Sequence, residues 1–105
     1  MTRNPLPPRR LSENVTIEWF DGRKTTRHDF GLSRYHDGRP AELFSYAHYG
    51  RGNDVESVCR DASLILSLAL QNGADIGTIW NAMTRGSNGE PVTLIGAIVK
   101  KLAEG

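Results

Sequence analysis

The stretch from Asp54 to Gly73, DVESVCRDASLILSLALQNG, constrains this chain more than any other. Val55, Val58, Cys59, Ala62, Ile65, Leu66 and Ala69 recur at helical spacing, and Leu64, Leu68 and Leu70 widen the stripe over the second half. A helix apolar on nearly every side belongs in a core, so the second half is expected to be buried on most sides, with Leu66 and Leu70 at the centre. Asn53 or Asp54 can cap the first turn. Asn72-Gly73 supplies the stop, because glycine adopts the left-handed conformation found past helix ends. About 18 helical residues make a rod of roughly 27 Å, long enough to span a small domain.

Before this helix the chain reads as strands. Val15–Phe20 alternates apolar and polar positions, Asp21-Gly22 signals a hairpin, and Arg23–Tyr35 reads as a longer strand with Gly31 as a bulge. Asp37-Gly38 signals a second hairpin. Pro40–Ala47 follows, with Leu43 and Ala47 on one face and Phe44 and Tyr46 on the other. After the helix, Asp75 is placed to cap a second helix carrying Ile76, Ile79, Trp80 and Met83. Pro91 suits the first turn of a third helix running through Val92, Ile95, Ile98, Val99 and Leu102. Strands followed by helices predict a two-layer α+β fold: a three-stranded antiparallel meander packed on a long central helix, followed by two shorter helices.

At 105 residues the chain has the length of one domain. Residues 1–12, with Pro5, Pro7, Pro8 and three arginines, read as a disordered basic, proline-rich tail, and residues 13–105 as the domain. Net charge is +1, which exerts no global pull toward nucleic acid or anionic membrane. Nine Lys/Arg face six Asp/Glu in residues 1–52, against four and six thereafter, so the strand half is mildly basic. The start lacks the apolar core of a secretory signal, and no apolar run reaches the roughly 18–20 residues of a membrane span. With one cysteine, Cys59, no internal disulfide or Cys-x-x-Cys motif can form, and a cytoplasmic location fits.

No self-contained catalytic constellation is present, and no catalytic residue, metal ligand or cofactor is assigned. His28, His36 and His48 lie at unrelated spacing. Ser67 with Asp61 and a histidine lacks the strained turn of a nucleophile, and a helix serine bonding back to its preceding turn is expected instead. Gly50-Arg51-Gly52-Asn53 runs into a helix N-terminus, where backbone amides can hold an anion. Tyr35, Phe44, Tyr46 and Tyr49 fall among Arg23, Arg27, Arg34 and Arg39, a pattern that can stack bases. Core packing under a solvated rim explains the same residues and is the favoured reading. The candidate binding residues are therefore Arg34, Arg39, Tyr46, Arg51, Gly52 and Asn53.

Two runs in order carry a resemblance: Asp37-Gly38-Arg39-Pro40-Ala41-Glu42-Leu43-Phe44, then, after a glycine loop, Arg60-Asp61-Ala62 and Ser67-Leu68-Ala69-Leu70-Gln71-x-Gly73. From Val15 to Leu102 the chain resembles the TSCPD domain. That small module lies at the C-terminal end of adenosylcobalamin-dependent (class II) ribonucleotide reductases and also occurs as short free-standing proteins. The Thr-Ser-Cys-Pro-Asp run itself is absent, and Ser63-Leu64 stands where reductase-fused versions often carry Gly-Arg, so the chain sits closer to the free-standing branch. The resemblance implies an accessory module in deoxyribonucleotide synthesis, with a reductase subunit or a second copy of itself as partner. It does not imply a complete ribonucleoside-diphosphate reductase. That reaction needs a thiyl-radical cysteine, a cysteine redox pair and a radical-generating cofactor, and one cysteine cannot fill three roles. Two other readings stay open: binding of nucleic acid or nucleotide through the basic, aromatic sheet face, and an enzyme with an unrecognised site.

Overall fold

Three strands and three helices follow one another in the computed structural model, which describes residues 12–46 and 54–105. The strands are β1 (Ser12–Phe20), β2 (Thr25–Arg34) and β3 (Pro40–Ser45). They form an antiparallel meander with β2 in the middle. The helices are α1 (Asp54–Gln71), α2 (Ile76–Ala82) and α3 (Leu94–Glu104). The fold is α+β, as the order of patterns predicts.

The first hairpin is longer than the two-residue turn expected at Asp21-Gly22. Phe20 pairs with Thr25 across a loop in which the Asp21 carboxylate accepts the N–H groups of Lys24 (3.0 Å) and Arg23 (2.8 Å). Those two backbone bonds, Lys24's the larger, hold the Asp21 pKa below the ordinary carboxylate value. Ser12 belongs to β1, so the ordered strand begins inside the segment read as tail. Gly31 is not a bulge: it pairs regularly with Asn14 and Phe44, and the irregularity falls between Ser33 and Arg34.

Alternation along the strands sorts the sheet into two faces. Phe30, Leu32 and Leu43 point into the core, where they meet Cys59, Leu66 and Leu70 of α1 and Leu94, Ile98, Val99 and Leu102 of α3. Ile76, Ile79 and Trp80 of α2, with Met83 at its C-terminal cap, pack half-buried against this cluster. Asp75 caps α2 by accepting the Thr78 N–H, as its position predicts. α3 starts later than Pro91 suggests. Pro91 bridges Arg85, and the Val92 N–H bonds the Thr84 carbonyl, so residues 84–92 close a small hairpin. Thr93 becomes the cap, its hydroxyl accepting the Gly96 N–H at 3.0 Å. Val92 is consequently exposed rather than buried.

One edge of the sheet is sealed by α1. Leu43 turns its N–H and C=O away from β2, and the Ser67 hydroxyl meets both: it accepts the N–H at 2.8 Å and lies 3.2 Å from the carbonyl oxygen. One turn on, the Gln71 amide donates to the Ala41 carbonyl at 3.2 Å. The spacing matches because four helical residues rise about 6 Å and two strand residues about 6.6 Å. α1 therefore runs antiparallel to β3 and covers edge groups that would otherwise invite another strand. Ser67 also bonds back to the Ser63 carbonyl, as expected of a helix serine. Past Gln71, Gly73 at φ +95° closes the helix: its N–H bonds Leu70 and the Ala74 N–H bonds Ala69.

The second half of α1 is not buried on most sides. Cys59, Ser63, Leu66, Ser67, Leu70 and Gln71 face the sheet and are buried, whereas Leu64 and Ile65 are 62% and 67% exposed and Val55, Val58 and Leu68 also face outward. Among the described residues, three strands and two short helices cover one flank of this 18-residue helix.

Candidate functional site

Among the described residues, no element packs on the sheet face opposite the core. Pairing places Asn14, Gly31 and Phe44 in one row across it, with Thr16 and Asp29 in the next. Tyr46 continues the line of β3 through its N–H bond to the Asp29 carbonyl. Its ring leans over Gly31, where an added Cβ would sit 2.5 Å from the phenolic oxygen. The missing side chain at Gly31 thus makes a seat for Tyr46, and Tyr46 and Phe44 stand exposed side by side.

Polar groups around this aromatic pair are matched in charge. Thr16 donates to the Asp29 carboxylate at 2.7 Å, and Arg27 reaches the same oxygen at 3.4 Å. Arg34 lies at the other end of β2, bonded to Glu13 at 2.5 Å and to the Gly38 carbonyl at 2.8 Å. Arg39 lies in the second hairpin, where it bonds Asp37 at 2.7 Å and stacks over Tyr35. The Arg39 N–H, and after it the guanidinium, hold the Asp37 pKa below its ordinary value. Of the candidate residues, the structure sets Tyr46 on this sheet face and brings neither Arg34 nor Arg39 to it. Arg51, Gly52 and Asn53 lie outside the described residues.

A groove of about 390 Å³ continues from the aromatic pair toward α1. Phe44, Leu64 and Leu68 wall it, Ser67 and Gln71 lie at its base, and Arg60 and Glu42 stand at its rim. The surface that runs from Tyr46 across Phe44 to the outer side of α1 is therefore largely apolar. Sequence patterning found Phe44 and Tyr46, but it misread Gly31 and assigned Leu64 and Ile65 to the core.

Hydrolytic chemistry has no assembled site among the described residues. The Ser67 hydroxyl is engaged with Leu43 and Ser63 in the buried seam, while Asp61 is on the exposed side of α1. His28 bonds Thr26 within β2 at 2.7 Å. Cys59 is 3% exposed, and burial raises its thiol pKa despite hydrogen bonds with Ser45 and Ser63 that act the other way. Little thiolate is then present near neutrality. Reaction of the native protein with a disulfide reagent is expected to be on the order of a hundredfold slower than in denaturant. Equal rates would place the thiol at the surface.

Compared with known proteins, the chain matches no family model, no curated protein and no solved structure.

Proposed function

We propose that this chain is a non-catalytic binding module that engages protein partners through the apolar surface joining the sheet face opposite the core to α1. The observation that carries the reading is the exposure of Phe44, Leu64 and Leu68 around one groove, with Tyr46 of the sheet and Ile65 of α1 also exposed. A patch of this size exceeds what isolated surface leucines produce and marks an interaction site. The resemblance to the TSCPD domain points to a reductase-linked accessory role, in the cytoplasm where deoxyribonucleotides are made. The two runs that carry the resemblance touch: Ala41 and Leu43 of the first bond Gln71 and Ser67 of the second. A nucleic-acid partner is less favoured, because Arg27, Arg34 and Arg39 each face a carboxylate of the same chain.

The test is capture from lysate of the native host with quantitative mass spectrometry, with and without nuclease. Enrichment of a reductase subunit that survives nuclease, and that falls about tenfold or more with Tyr46→Ala, is the expected result. Enrichment that disappears with nuclease would move the assignment to nucleic acid. Gly31→Ala supplies an independent arm: the new methyl group evicts the Tyr46 ring from its seat, so binding should fall as it does for Tyr46→Ala.

A further inference from the structure

We infer that the outer face of α1 and the groove beside it form a two-fold interface with a second copy of this chain. The inference rests on the binding-module reading and names the partner for the α1 half of the surface. Around α1, Leu64 and Leu68 form a central row. Ile65 projects on one side of it, and on the other side the groove opens between Leu64 and Phe44. A two-fold axis along the row sets Ile65 of each copy against the groove of the other. One patch thereby serves as both halves of an isologous contact.

Charge on this patch is self-complementary as well. Asp61 stands on the Ile65 side of the Leu64–Leu68 row and Arg60 on the groove side. Consecutive helix residues lie about 100° apart and cannot pair with each other across the row. Both are exposed, and neither side chain makes a hydrogen bond or ion pair among the described residues, although Arg27, Arg34, Arg39 and Lys100 each have a carboxylate. Any partner that buries this face must offer Asp61 a cation, because an unpaired buried charge is costly. A second copy offers its own Arg60 at the same level, and the symmetry forms the pair twice.

Phe44, Leu64, Ile65 and Leu68 are between 46% and 67% exposed. At roughly 150–200 Å² per side chain they present on the order of 400 Å² per copy. Two copies bury about 800 Å² of apolar side chain, and the polar rim of Arg60 and Asp61 brings the contact toward the roughly 1,000 Å² of a specific interface.

Sedimentation equilibrium on the full chain tests this. The expected mass at about 100 µM is twice the 11.6 kDa of one chain. Ile65→Lys should give a monomer with unchanged circular dichroism, since Ile65 lies outside the core. Arg60→Glu should weaken the dimer about tenfold or more, and the double reversal Arg60→Glu with Asp61→Arg should restore it. A wild-type monomer at that concentration, a dimer that survives Ile65→Lys, or a double reversal as weak as the single one would each overturn the inference. The two readings fail separately. A monomer that still captures a protein partner through Tyr46 removes self-association and keeps the binding module. A dimer that captures nothing keeps self-association and removes the accessory role.

Discussion

Leu70→Ala is expected to cost about 2–5 kcal/mol of unfolding free energy, whereas Leu64→Ala, six residues earlier on the same helix, should cost less than about 0.5 kcal/mol in the monomer. Leu70 is 4% exposed and packs in the cluster that joins α1 to the sheet and α3. Its truncation removes buried methyl groups and leaves a cavity that neighbours from three elements cannot all close. Leu64 loses little on truncation in one chain because most of its surface already meets solvent. Urea melts at protein concentrations low enough to dissociate a dimer would show the contrast. Equal losses at the two positions would mean that α1 is covered on both sides within one chain.

The same contrast explains why the sequence misleads along α1. Helical periodicity reports which residues avoid water in the functional state, not which of them one chain can bury. Leu64, Ile65 and Leu70 carry the same apolar signal, so no pattern of spacing separates a core residue from an interface residue. The first strand is more legible, because Val15, Ile17 and Trp19 alternate with Thr16 and Glu18 and a period of two admits one inward face, whereas the inward Phe30 and Leu32 of β2 are known only from the structure. Turn details were harder. Asp21-Gly22 predicts a hairpin correctly, yet the carboxylate bonds two N–H groups and lengthens the loop to four residues. Pro91 fits a first helical turn, but the Val92 N–H is taken by the Thr84 carbonyl, and capping passes to Thr93.

At the candidate site, Tyr46 was legible from its place opposite Leu43's face, and the seat beneath it was not. A glycine in a strand reads as a bulge or as a close approach, and only the register across β2 and β3 decides between them. Charge alone singles out Arg34 and Arg39. Their carboxylate partners are Glu13, 21 residues away in the chain, and Asp37, two residues away, and neither pairing can be read from composition. Arg51, Gly52 and Asn53 lie outside the described residues, so the anion-binding reading of that loop gains no geometry.

Ser67→Ala is the second large effect, and it tests what joins the two sequence runs. The Ser67 hydroxyl is the acceptor for the Leu43 N–H, which is buried and turned away from β2. Alanine leaves that donor without its protein partner, and the expected loss is about 1–3 kcal/mol. Ser63→Ala is the control. Ser63 is equally buried, but its hydroxyl bonds back to the Cys59 carbonyl of its own helix, which also serves the ordinary helical bond, so its removal should cost less than about 1 kcal/mol. Hydrogen exchange gives a local readout: the Leu43 amide should lose protection in Ser67→Ala before the Leu32 amide on the central strand does. Equal costs for the two serines, with Leu43 still protected, would show that α1 holds β3 by apolar contact alone. The costs expected here would make the serine and glutamine of the Ser-Leu-Ala-Leu-Gln run a structural device. Their part would be to seal one sheet edge and fix how α1 presents its outer face.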